Sequence, residues 1–145
     1  MKRALLLLAH GARDPRWAAP FEELAQRLRA RSPGLAVRLS YLDFITPDLK
    51  TAGRALAREG CERVDVMPLF LGSGGHVRND VPRLMQELEV EHPQVAWQCH
   101  ATIGESSLVI DAMAQACLGA AQLPPAPPDE TGAVYGLASG VPRSP

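Results

Sequence analysis

The sequence predicts an α/β fold: an open, parallel four-stranded sheet with helices on both faces. Two observations carry this. Four short apolar runs alternate with four stretches of helical apolar spacing along residues 1–121. The runs are nearly continuous in apolar side chains, as in Leu5–Leu8, which suits parallel strands buried on both faces and joined by right-handed crossovers.

The first strand is Ala4–Ala9, followed by a helix over about Ala19–Arg31 that ends at Ser32-Pro33-Gly34. Phe21, Leu24, Ala25 and Leu28 give that helix its apolar stripe. The second strand is Ala36–Leu42, with a helix from about Pro47 to Arg58 stopped by Gly60, a C′ glycine. The third strand is Val64–Leu71. Its helix runs from about Asp80 to Glu91, with Asp80 as N-cap and Pro82 in the first turn. Pro68 lacks a ladder donor, which predicts that the third strand is an edge strand or is bulged there. The fourth strand is Val95–Ala101, followed by a helix from Ser106 to about Ala121. This last helix is apolar around most of its circumference, which suits either a subunit interface or tight packing of small residues on the sheet.

Composition bounds the rest. A chain of 145 residues is one domain's worth, and 46% apolar with 21% charged residues is ordinary for a globular protein. The net charge of −1 gives no basic field, so no nucleic-acid partner is expected. Met1–Ala9 resembles the opening of a signal peptide, but its apolar stretch is short and runs on without a cleavage site. No run approaches the ~18 apolar residues of a membrane span. Cys61, Cys99 and Cys117 are odd in number and lack paired spacing, which predicts reduced thiols, no structural zinc and a cytoplasmic location. The domain is expected over residues 1–121. Residues 122–145 read as a flexible tail, since six of the 13 prolines fall after Leu123.

Two strand ends carry a histidine at matching positions: His10 after the first and His76 after the third. Ligands of open α/β sheets bind beyond the carboxyl ends of the strands. The second strand delivers Asp43 to the same edge, and neighbouring strands lie only ~4.8 Å apart. Two imidazoles with a carboxylate suit an open site for a divalent transition metal, or an acid–base pair. Taken alone, Asp43 reads rather as a cap for the turn into the following helix than as a ligand. His100 reads as an ordinary strand residue and His92 as a solvated helix end. Arg13 and Arg78 flank the two histidines, as carboxylate partners or as solvent-facing charges. The loop Gly72-Ser73-Gly74-Gly75 lacks the pattern of a nucleotide phosphate loop, and the first strand–helix turn lacks the dinucleotide fingerprint. Its glycines would let a flat ligand lie close to the backbone.

Three segments carry a resemblance: Leu-Leu-Ala-His-Gly-Ala-Arg-Asp-Pro near the start, Tyr-Leu-Asp-Phe-Ile-Thr-Pro-Asp-Leu in the middle, and Met-Pro-Leu-Phe-Leu-Gly-Ser-Gly-Gly-His-Val-Arg-Asn-Asp-Val-Pro later. In this order, over about residues 3–118, the chain resembles the CbiX/SirB sirohydrochlorin chelatases in their short form. The resemblance implies a chelatase-like, flavodoxin-like fold and ATP-independent insertion of a divalent metal into sirohydrochlorin, a tetrapyrrole rich in carboxylates. Cobalt is favoured, or ferrous iron, for cobalamin or sirohaem synthesis. No cofactor beyond the substrate metal is implied. His10 and His76 are carried over as the metal-binding and proton-accepting pair, with Asp43 where the family often has glutamate. Thr46 stands where the family frequently has an acidic ligand contact. Leu71, Gly72, Ser73, Gly74 and Gly75 match the tetrapyrrole-contacting loop. Short-form members act as homodimers, which would use the apolar last helix. The alternatives are a nickel chelatase of the same family and a non-catalytic carrier of metal or tetrapyrrole.

Overall fold

The computed structural model describes residues 1–72 and 74–127, apart from the side chains of His76 and Val77. Residues 128–145, most of the expected tail, and Ser73 lie outside the described residues. The elements are β1 (Arg3–Ala9), α1 (Ala19–Arg31), β2 (Ala36–Tyr41), α2 (Leu49–Arg58), β3 (Arg63–Pro68), α3 (Gly75–Glu91), β4 (Ala96–Cys99) and α4 (Ser107–Ala120). The chain divides into two compact units, Met1–Thr102 with the sheet and α1–α3, and a second from Ile103 onward that contains α4.

All strand pairs are parallel, in the order β2-β1-β3-β4. β1 is central: it pairs with β2 from Ala4↔Ala36 to Ala9↔Tyr41 and with β3 from Arg3↔Arg63 to Leu8↔Pro68. Side chains alternate across a strand, so β1 feeds two cores. Ala4, Leu6 and Leu8 pack with Leu49, Ala52 and Leu56 of α2 and Val81, Met85 and Leu88 of α3. On the opposite face Leu7 packs with Leu24, Ala25 and Leu28 of α1. Helices therefore lie on both faces of the sheet, as the sequence predicts.

Local chemistry explains the helices. The Asp48 carboxylate caps α2 by accepting the Thr51 amide at 2.7 Å, which holds its carboxyl below the ordinary carboxylate value. Gly60, at φ +83°, follows the helix end. Gly53 stands inside α2 because a Cβ there would come within 3.0 Å of the Leu88 methyls. Across the same two helices, Lys50 pairs with Glu87 at 2.7 Å and Arg54 with Glu91 at 2.7 Å.

Three expectations are corrected. β3 is neither an edge strand nor bulged at Pro68, which is its last residue, beyond the end of the β4 pairing at Val66↔Cys99. The missing amide therefore costs the ladder nothing. α3 begins at Gly75 rather than Asp80, with Gly74 as its N-cap, so Asp80 and Pro82 lie inside the helix. Pro82 has no amide to give the Arg78 carbonyl, and the helix continues past it on the buried stripe of Val81, Met85 and Leu88. Third, β3 stops at Pro68 rather than Leu71.

In the second unit, α4 follows the expected span within a residue at either end, and none of its residues is buried. Leu108 is 82% exposed. Among the described residues no helix is long and apolar enough to cross a membrane.

Candidate functional site

β1 and β3 are neighbours whose following helices leave toward opposite faces, α1 to one side and α3 to the other. Such a switch point opens a crevice at the carboxyl ends of the strands. His10 is the first residue beyond β1 and is exposed. Its ring lies against Phe70, with centroids 4.1 Å apart and planes tilted by 36°. Phe70 is itself 1% exposed and belongs to the main core, so the imidazole rests on a fixed support.

The loop after β2 is tied to the same spot. The Leu42 amide donates to the Ala9 carbonyl at 3.0 Å and the Asp43 amide to the His10 carbonyl at 2.9 Å. The Tyr41 amide donates to the Pro47 carbonyl at 3.0 Å, drawing the far end of the loop back to the strand. Gly11 makes this approach possible. It sits at φ +92°, and a Cβ there would lie 1.8 Å from the Asp43 carbonyl oxygen. Both demands exclude every residue but glycine.

Asp43 is exposed, and among the described residues its carboxylate has no hydrogen-bond or ion-pair partner. It is not a helix cap, because Asp48 performs that task. Beside it opens a cavity of about 280 Å³ whose lining includes Asp48, Lys50, Asp80 and Arg83. Thr46 is exposed in the same loop. Arg13 places its guanidinium 5.2 Å from the centre of the Phe44 ring, a cation–π contact.

On the β3 side, Leu71 is 67% exposed and Gly72 is also exposed. Gly74 and Gly75 form the N-cap and first residue of α3. None of Gly72, Gly74 and Gly75 has a positive φ, and a Cβ on any of them would meet nothing within 4 Å. The fold thus gives no reason for three glycines here. His76 lies in the first turn of α3, not in the preceding loop as the sequence suggests, and its side chain is outside the description. Arg78 is exposed on the next turn. Among the described residues no group of three or more His, Cys, Asp or Glu is arranged to hold a metal.

His10 and Asp43 are therefore brought together through their backbones, with Arg13 beside them. Sequence reasoning missed Phe70 beneath His10 and Phe44 beside Asp43. It also misjudged His100, which lies just beyond β4 and meets the Asp65 carboxylate at 2.9 Å. Asp65 takes two further bonds from Arg63, at 2.9 and 3.0 Å, and one from Arg3 at 3.4 Å. Arg63 chiefly, with His100 and Arg3 adding and burial opposing, holds that carboxyl far below the ordinary range. Its sequence signal is the charged alternation Arg63-Val64-Asp65 within an otherwise apolar run. His92 ends α3 half-buried, its carbonyl accepting from the Trp97 indole at 3.2 Å.

The geometry can be set beside known proteins. A sirohydrochlorin cobaltochelatase of Methanocaldococcus jannaschii is 32% identical over 89 residues, 61% of this chain and 62% of that protein. A sirohydrochlorin ferrochelatase of Bacillus subtilis is 24% identical over 113 residues, 78% of this chain and 43% of that protein. The chain spans about three fifths of the length of the curated cobaltochelatases it first matches. Among solved structures, a cobalamin (vitamin B12) biosynthesis CbiX protein from Marinobacter aquaeolei VT8 superposes with a TM-score of 0.73 at 32% identity, covering 83% of this chain and 98% of that one. SirB from Bacillus subtilis with Fe3+ shares the fold alone, with a TM-score of 0.71 at 22% identity over 83% of this chain and 48% of its own. The model of the CbiX family matches residues 4–119, a span that holds all four strands but for Arg3 of β1, together with His10, His76 and the glycine loop, and the chain belongs to that family.

Proposed function

We propose that the chain is a sirohydrochlorin chelatase, an ATP-independent lyase that inserts a divalent metal, cobalt or ferrous iron, into sirohydrochlorin. The observation that carries this reading is the placement of His10. It is an exposed imidazole at the sheet's switch point, seated on buried Phe70 and tied through its carbonyl to the loop that bears Asp43, a carboxylate without a partner among the described residues. The several curated relatives named as cobaltochelatases favour cobalt.

Insertion exchanges one hydrated divalent cation for two protons on pyrrole nitrogens. A neutral imidazole can first replace water on the metal, then accept a proton as the metal moves to the ring. His10 and His76 take these roles, with Asp43 drawing the cation to the crevice. Arg13 and Arg78 pair with peripheral carboxylates. Leu71, Gly72, Ser73, Gly74 and Gly75 form the wall against the macrocycle, and glycines without a conformational need there fit a ligand that approaches the backbone closely. Thr46 supplies a polar contact from the opposite loop. Residues 1–121 are the working unit, with 122–145 a tail, in a cytoplasmic homodimer whose shared surface includes the unburied apolar helix α4.

Absorbance of sirohydrochlorin mixed with Co2+, Fe2+ or Ni2+ in turn, with and without protein, tests the proposal. Acceleration over the spontaneous rate is expected, greatest with cobalt. Binding of metal or tetrapyrrole without acceleration would leave a carrier, and a preference for nickel would reassign the metal. A solution mass of one chain would remove the homodimer.

A further inference from the structure

Phe44 stands out as a residue the fold does not use. It belongs to none of the hydrophobic clusters, whereas its neighbour Ile45 packs against the Ala9–Tyr41 core. It is 67% exposed. It also has φ +67°, a conformation that bulky side chains rarely adopt. The Ile45 amide donates to the Asp43 carbonyl at 2.8 Å across it, so Phe44 is the centre of a γ-turn of the strained, positive-φ kind. Strain and exposure at one aromatic residue, with no gain in packing, point to a task outside folding.

Its surroundings say which task. Asp43, the preceding residue, is bonded to the His10 carbonyl, so the ring projects from the rim of the candidate crevice. Arg13 covers one side of the ring at 5.2 Å, and with two thirds of the residue exposed the other side is open. A flat aromatic face backed by a cation suits a ligand that is itself flat, conjugated and edged with carboxylates. Across β1, the loop after β3 presents Leu71, equally exposed.

We propose that Phe44 is a substrate-stacking residue: its open face lies against the tetrapyrrole plane while Arg13, held by the same ring, meets a peripheral carboxylate. This rests on the proposed sirohydrochlorin chelatase reading. The γ-turn is the device that aims the ring outward rather than into the core.

The test titrates metal-free sirohydrochlorin into the full chain, read by absorbance and tryptophan fluorescence, beside thermal melts. Phe44→Gly suits the backbone angle and removes the ring. It is expected to melt at or above the wild-type temperature and to bind roughly 10-fold more weakly. Phe44→Tyr keeps a flat face and should bind as wild type, with Phe44→Leu in between. A glycine variant that binds within about two-fold of wild type overturns the assignment, as does one that melts well below it, since the ring would then be structural. A wild-type chain that does not bind sirohydrochlorin overturns the chelatase reading and this inference with it.

Discussion

Substituting Gly11 by alanine is the sharpest probe of how the crevice is built. The new Cβ would start 1.8 Å from the Asp43 carbonyl oxygen and 2.9 Å from its carbon, so the two backbones must part by about 1.6 Å to reach the 3.4 Å of ordinary contact. That separation breaks or bends the two hydrogen bonds that join these backbones, Asp43 amide to His10 carbonyl and Leu42 amide to Ala9 carbonyl. Each is worth ~0.5–1.5 kcal/mol, and a Cβ at positive φ adds ~1–2 kcal/mol, for a total near ~3 kcal/mol. For a chain of this size that lowers the melting midpoint by roughly 6–12 °C. Displacing the Asp43 loop by an ångström or more should also reduce metal insertion by about 100-fold. Circular-dichroism melts and the absorbance assay measure the two effects. Asp43→Ala is the control: it removes the carboxylate but keeps the carbonyl, so it should leave the melt unchanged. A Gly11→Ala variant that melts within ~2 °C of wild type and keeps its activity would refute the claim that the close approach shapes the site.

Other outcomes follow from the same geometry. His10→Ala and His76→Ala should each remove most insertion activity in the absorbance assay; the His10 variant should melt within ~2 °C of wild type, because that ring is exposed. Gly75→Ala, in the first turn of α3 with open space around it, should leave stability unchanged or raise it by up to ~1 kcal/mol. Loss of sirohydrochlorin binding in that stable variant would mark close approach of the ligand, and full retention would remove the glycine loop from the site. Glu91 is held down to about 2, first by Arg54 and then by Lys50. A depressed carboxylate stabilises the fold above its ordinary pKa, and the contribution is lost as pH falls from about 4.5 toward 2. Glu91→Gln should therefore flatten the acid limb of a melting-temperature profile between those values, and 1 M salt should weaken the difference from wild type. An unchanged acid limb would show the pair to be idle.

Much of this architecture is legible in the chain because its signals are local. α1 occupies Ala19–Arg31, the predicted span, since the stripe of Phe21, Leu24, Ala25 and Leu28 can face only one way. The two histidines are legible as strand-end residues, but their settings differ. The start of α3 is hidden because Gly74 and Gly75 read as loop, whereas a helix needs only a permissive N-cap and packing further along, supplied by Val81, Met85 and Leu88. Pro68 misleads for a related reason: its missing donor matters only where a neighbour is still paired, and β4 has already ended. Phe44 is invisible in sequence because nothing marks a phenylalanine for positive φ except the tertiary ties that impose it. His100 finds Asp65 35 residues away in sequence, a pairing fixed only by the register of β3 against β4.

The central position of β1 has a consequence for how firmly the backbone at His10 is held. Backbone amides with ladders on both sides and buried side chains exchange with solvent only through the largest openings of a protein, while helix starts and loops exchange through small ones. His10 directly follows such a strand and shares its tether to Asp43. His76 sits in the opening turn of a helix behind glycines. In hydrogen–deuterium exchange, amides of Leu6–Leu8 should protect to the global limit and those around Gly75 should exchange orders of magnitude sooner. The backbone that carries His10 then belongs to the most protected part of the sheet, so the proposed insertion chemistry has a fixed point of reference at that residue.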